Sequence, residues 1–211
     1  MPSKQSSALI AMNSDMARRG YETVDQQTVT SAFNDMEVRK FRDNVKAILR
    51  PFNIRSVLDY GCGGSDYEKA GFSGEQSAKA FFQLDAVYLY EPARGIDERR
   101  VCDAVFCFDV LEHIFITDIP ATLRELFSLT RKLLVINVAC YPARALLPNG
   151  ENAHITVRPS AWWKGMIDSI AMDFPDVTVQ LWCSNSYTQV EGWPLRRAND
   201  WADSATFVTA A

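Results

Sequence analysis

No apolar run in this chain approaches the roughly 20 residues that cross a bilayer, and the polar start MPSKQSSALI lacks the long apolar segment of a secretory signal. The five cysteines (Cys62, Cys102, Cys107, Cys140, Cys183) include no CxxC pair. Most sit in strand-like apolar runs where a thiol acts as a small hydrophobe, which disfavours zinc and disulfide frameworks. Basic charge is not in excess: the net charge is -4 and the pI is about 5.3. Nucleic acid is therefore disfavoured as a partner, and the clusters RKFR (39–42) and DERR (97–100) are expected to be solvated faces. There are no internal repeats or low-complexity tracts. These absences lead us to expect a soluble, cytoplasmic protein with no membrane partner and an oligomeric state left open.

What is present suits one globular unit: 211 residues, 47% hydrophobic and 23% charged. Residues 1–25 are polar and aperiodic and are expected to form a frayed arm or short lid, with a single domain over 26–211. The segment TVTSAFNDMEVRKFRDNVKAILRPF carries Val29, Phe33, Phe41, Val45, Ile48, Leu49 and Phe52 mostly at helical spacing, with Pro51 as the stop. SVLDY, DAVYLYEP, DAVFCFDVL, LLVINVACYP, DVTVQLWCS and ATFVTAA read as strands. TDIPATLRELFSLTRK has a Thr or Asp cap, an early proline and basic residues at its end, so a helix is predicted there. PSAWWKGMIDSIAMDF predicts a second, and residues 65–83 a helix-rich connection broken near GFSGE. Alternating strands and helices predict an α/β fold with a doubly wound, mostly parallel sheet in a three-layer sandwich.

In such a sheet ligands bind beyond the carboxyl ends of the strands, where a glycine turn lets the backbone approach them closely. LDYGCGGSDY (58–67) stands at that position. A dinucleotide loop wants G-x-G-x-x-G/A, yet the sixth position after Gly61 and Gly63 is Asp66, a negative charge where pyrophosphate would dock. S-adenosylmethionine carries a sulfonium cation and no phosphate, so an acid before the glycines suits it, and Asp59 is that acid. The plainer alternative is that Gly61 and Gly63 only shape a tight turn.

Asp59, Tyr60, Gly61, Cys62 and Gly63 after an apolar strand resemble the D-x-G-x-G motif of the class I S-adenosylmethionine-dependent methyltransferases. Glu91 of YLYEPA stands where that family grips the ribose hydroxyls. FCFDVLEHI (106–114) resembles its fourth-strand motif, in which Asp109, with Val110 beside it, lines the cofactor. The resemblance covers about residues 54–140 and implies a Rossmann-like sheet with S-adenosylmethionine across its carboxyl ends. It departs between Pro92 and Val101, a stretch too short for the family's usual helix and third strand, so a truncated edge between strands 2 and 4 is expected. The usual acidic contact to adenine has no assigned residue beyond Asp97.

Methyl transfer is an in-line displacement, so the protein mainly orients the nucleophile and supplies a base if that nucleophile must lose a proton. The chain has only two histidines. His154, in the loop after the fifth strand with Asn149, Gly150, Glu151 and Asn152, is the candidate base; alternatively His154 and Asn152 hydrogen-bond the loop backbone. His113 is read as structural. No metal ligands are assigned, although Asp109, Glu112 and His113 resemble the acid-x-x-Glu-His cluster that binds a divalent ion in some O-methyltransferases. Of Trp162 and Trp163, one is expected in the core and the other at a substrate pocket. Arg158 is a surface cation or an anion contact.

The expected activity is methylation of oxygen or nitrogen on a small molecule or glycan precursor. Alternatives are a metal-dependent RNA 2'-O-methyltransferase and a non-catalytic S-adenosylmethionine-binding protein.

Overall fold

The computed structural model describes residues 4–33, 37–196 and 206–208. It begins with a helix, α1 (Lys4–Arg19), where the sequence suggests an arm. Arg18 and Arg19 lie in its last turn, at the negative end of the helix dipole, and Asp15 pairs with both. Two short strands follow, β1 (Tyr21–Glu22) and β2 (Thr28–Val29), paired antiparallel. The long helix expected from residue 28 therefore does not form at its start. Val29 is in the ladder, and Phe33 has φ +55°, a conformation outside any right-handed helix. A 3-10 turn, Glu37–Phe41, leads into α2 (Arg42–Leu49). The apolar stripe survives: Val38, Phe41, Val45 and Leu49 are buried on one side.

Next come β3 (Ser56–Tyr60), α3 (Ala78–Phe82), β4 (Ala86–Glu91), β5 (Ile96–Asp97) and β6 (Cys102–Phe108). After them follow α4 (Ile119–Ser128), β7 (Thr130–Ala139), α5 (Ser160–Ala171), β8 (Thr178–Ser184), β9 (Val190–Arg196) and β10 (Thr206–Val208). Eight of these strands form one sheet in the order β10-β9-β8-β7-β6-β3-β4-β5. The five central strands run parallel, and β5, β9 and β10 add antiparallel edges. Strands buried on both faces need continuous apolar runs, which is what β3, β6 and β7 carry.

Alternate residues of each strand feed two cores. Leu58, Val105, Leu134 and Ile136 meet α4 and α5 through Leu123, Leu126, Trp163 and Ile167. Val57, Ala104, Phe106 and Val135 meet α2 and α3 through Val45, Leu49, Phe81 and Phe82. Helices thus cover both faces of an α/β sheet. Of residues 65–83, expected to be helix-rich, 65–77 instead run through turns and bends, and α3 is the one helix between β3 and β4.

The caps of α4 differ in part from expectation. Asp118 stands at the N-cap and Pro120 in the first turn as expected, but Asp118 makes no side-chain capping bond and no basic residue lies in the last turn. Arg131 and Lys132 belong to β7, where they approach Asp103 at 4.0 and 3.5 Å.

Between Pro92 and Val101 there is only a 3-10 turn, Pro92–Arg94, and the two-residue β5. Arg99 stacks over Tyr90 at 4.3 Å and Arg100 over Tyr88 at 4.0 Å, each laying a planar guanidinium on a ring of β4. All five cysteines are free thiols. Among the described residues no helix is long and apolar enough to cross a membrane.

Candidate functional site

The chain runs from β3 to β4 on one side, whereas β6 pairs with the other side of β3, so a topological switch point lies between β3 and β6. Crevices beyond the carboxyl ends of strands at such points are where ligands bind in open α/β sheets. Asp59 and Tyr60 end β3, Glu91 ends β4, and Asp109 follows β6 directly.

The glycine loop folds over the end of β4. Gly61 and Cys62 both donate their N–H to Tyr90 O, at 2.7 and 3.1 Å. Gly63 N donates to Glu91 Oε2 and Ala93 N to Glu91 Oε1, each at 3.0 Å, so one carboxylate clamps two loops. Each carboxylate oxygen keeps a further lone pair for a ligand hydroxyl. Gly61 has φ +83°, and a Cβ there would stand 2.3 Å from Val110 Cγ2; at Gly63, φ +55°, it would stand 3.1 Å from Phe33 O. Both glycines are therefore needed by the protein's own packing as well as by the turn.

Asp59 is buried, and Tyr67 donates its hydroxyl to Oδ2 at 3.0 Å. Burial pushes the Asp59 carboxyl up to about 7, the Tyr67 bond opposes this, and Glu91 adds to it. Burial, followed by Asp59 and Glu91, raises the Cys62 thiol to about 12, so it stays protonated. Tyr67 is absent from the sequence-derived set; its only signal is that an apolar-bodied phenol stands eight residues after a buried acid. Asp97 is held by Arg99 through Nε at 2.8 Å and Nη2 at 2.6 Å, which commits its carboxylate to the sheet edge.

Asp109 has φ +57°, left-handed backbone that few non-glycine residues adopt, and its N–H donates to Asn137 O at 3.1 Å. Val110 then packs on Gly61, and a 3-10 turn, Leu111–His113, follows. Glu112 points into the core: it is fully buried and Oε1 accepts from Ala139 N. Burial, then the Asp109 charge, hold its carboxyl well above the usual range.

The two histidines come together. Their rings lie edge to face, 4.7 Å apart at 85°. Nδ1 of His113 lies 2.8 Å from Ala153 O and Nδ1 of His154 lies 2.6 Å from Tyr141 O. A carbonyl only accepts, so both Nδ1 atoms carry a proton, and in the neutral imidazole the lone pair sits on Nε2. Burial lowers the His113 imidazole to about 4; Asp109 opposes that shift and His154 adds to it. The His154 loop is stitched in place by Asn152, which spans Ala143 N and O at 2.9 and 2.8 Å and accepts from His154 N at 3.0 Å. Thr156 ties the loop to the Glu112 turn through Glu112 O and Ile114 O.

Two more residues border this cluster, Lys40 and Tyr141, which sequence reasoning read differently or passed over. Lys40, from the supposedly solvated RKFR, is half-buried, pairs with Glu37 at 3.0 Å and lies 4.3 Å above the Tyr187 ring. Burial works against its charge, but Glu37, Tyr187 and Asp109 carry the net shift upward. Tyr141, whose ring is 5.9 Å from His154, is raised to about 12 by burial and then by Asp109. Trp163 is fully buried and Trp162 partly so; Arg158 stands 6.0 Å from the Trp162 ring and donates to Val157 O.

α1 roofs this end of the sheet. Leu9 and Met16 are buried against Leu147 and Ala153, Ser14 donates to Ala93 O at 2.7 Å, and Ser6 donates to Asp118. No family model, curated protein or solved structure matches this chain.

Proposed function

We propose that the chain is a Rossmann-like S-adenosylmethionine-dependent methyltransferase that transfers the methyl group to oxygen or nitrogen of a small molecule or glycan precursor. Asp59, Tyr60, Gly61, Cys62, Gly63, Glu91, Asp109 and Val110 hold the cofactor, and the Nε2 lone pair of His154 is available to take the acceptor's proton. The observation that carries this reading is the Glu91 clamp. A carboxylate at the end of β4 binds the N–H of Gly63, leaving acidic groups on both sides of the glycine bend. Polyphosphate meets repulsion from Asp59 and Glu91 there, whereas a sulfonium, an ammonium and ribose hydroxyls meet acceptors.

Calorimetry with S-adenosylhomocysteine, NAD and ATP tests it, followed by mass spectrometry of cell extract incubated with protein and S-adenosylmethionine. The expected result is binding of the adenosyl-sulfur compound alone and a methyl-sized mass gain in an acceptor. Uptake of NAD or ATP in its place overturns the reading, and cofactor binding with no labelled acceptor makes the protein a binder without catalysis.

A further inference from the structure

We infer that Asp109, His113 and His154 form a binding site for one first-row divalent cation. One ligand-capable atom from each of the three lies within 4.8 Å of the other two. Backbone carbonyls of Ala153 and Tyr141 fix both imidazoles as Nδ1–H tautomers, the outer-shell arrangement that orients histidine ligands and leaves Nε2 to the metal. The result is two ring lone pairs and a carboxylate facing one small space. Among the described residues neither Nε2 has a hydrogen-bond donor. Three acceptors gathered this way make a space that favours a cation.

Each ligand is held by a different constraint. Asp109 is pinned at positive φ by Asn137 O, His113 by the 3-10 turn after β6, and His154 by the Asn152 brace across the loop. Left-handed backbone at a non-glycine residue such as Asp109 is strained, so its surroundings must hold it there. Glu112 is buried beside Asp109 but is not in the set, because its Oε1 is committed to Ala139 N. The ligands therefore differ from the acid-x-x-Glu-His cluster: the second acid is replaced by a histidine from a loop about 40 residues on.

Two imidazoles and one carboxylate favour Mn2+, Fe2+, Co2+ or Zn2+ over Mg2+ and Ca2+, which prefer oxygen ligands. Three protein ligands leave coordination positions open. Val110, next to Asp109, packs on Gly61, so the cation would stand beside the glycine loop. The site does not depend on the methyl-transfer reading; its use in holding an acceptor oxygen does, and with the cation bound His154 Nε2 would be a ligand rather than the base, the cation instead lowering the pKa of an acceptor hydroxyl.

The test uses full-length chelator-treated protein titrated with Co2+, Mn2+, Zn2+ and, for comparison, Mg2+, with S-adenosylhomocysteine calorimetry on the same samples. One Co2+ per chain with visible d–d absorption is expected, and His113→Ala or His154→Gln should weaken binding about a hundredfold or more. Substoichiometric uptake, or unchanged affinity in variants with native circular dichroism, overturns the proposal. Should a variant fail to fold, 15N histidine spectra of the wild-type protein decide. Zn2+ must shift both Nε2 resonances, and their constancy refutes the site. Metal uptake without S-adenosylhomocysteine binding would sink the cofactor reading while leaving the cation site standing.

Discussion

Tyr67 donates its hydroxyl to Asp59 Oδ2 at 3.0 Å, and both side chains are buried. A buried acid with one phenolic partner loses that partner at full desolvation cost. Tyr67→Phe is therefore expected to destabilise the fold by about 1–3 kcal/mol, read from urea unfolding. It should also raise the Asp59 pKa further, because the hydroxyl is the contact that holds it down.

Asp59 makes stability depend on pH. Its folded pKa of about 7 exceeds the ordinary aspartate value of 3.8, so the folded state binds more protons between those limits. Its stabilising contribution is complete below the unfolded pKa and is lost as pH rises through about 7. Comparing urea midpoints of wild type and Asp59→Asn at about pH 5 and about pH 8 isolates this slope, which the variant should lack. A cation bound beside Asp59 favours the ionised form. S-adenosylhomocysteine, through its ammonium, is thus expected to bind more tightly above neutrality and to release a proton, measurable by calorimetry in buffers of different ionisation enthalpy.

Gly61→Ala meets two obstacles, a positive φ and a contact 2.3 Å from Val110 Cγ2. A loss of about 1–3 kcal/mol is expected. Adding Val110→Ala should relieve the steric part and leave the backbone part, so the double variant should be more stable than the sum of the singles implies.

Glu91→Gln looks conservative and is not. Both oxygens accept from backbone N–H groups, and an amide presents one oxygen and one donor, so Gly63 N or Ala93 N loses its acceptor. Affinity for S-adenosylhomocysteine should fall about tenfold or more, since hydrogen bonds to charged groups are worth roughly 1.5–3 kcal/mol.

The central strands and the helices α4 and α5 were legible because apolar runs and helical stripes are local patterns. SVLDY coincides with β3, and the expected helix over residues 160–174 contains α5. The first helix was not legible, since only Leu9 and Met16 of its length are fully buried, against a loop more than 130 residues away. The strand β9 escaped because VEGWPLR contains both glycine and proline, residues that sheet interiors disfavour. The order of acid, glycines and second acid along the chain marked the Asp59–Glu91 rim, but not the Glu91 clamp on Gly63. The meeting of His113 with His154 depends on how the loop after β7 folds back onto the turn after β6, which no local spacing encodes.

α1 is fastened at Ala93 and Asp118 and pressed onto Leu147 and Ala153. A nucleoside lodged underneath would leave only as quickly as that helix peels back. Exchange would then be paced by a mechanical step, and severing the Ser14 tether should hasten departure of S-adenosylhomocysteine in stopped-flow far more than it alters the forces gripping it.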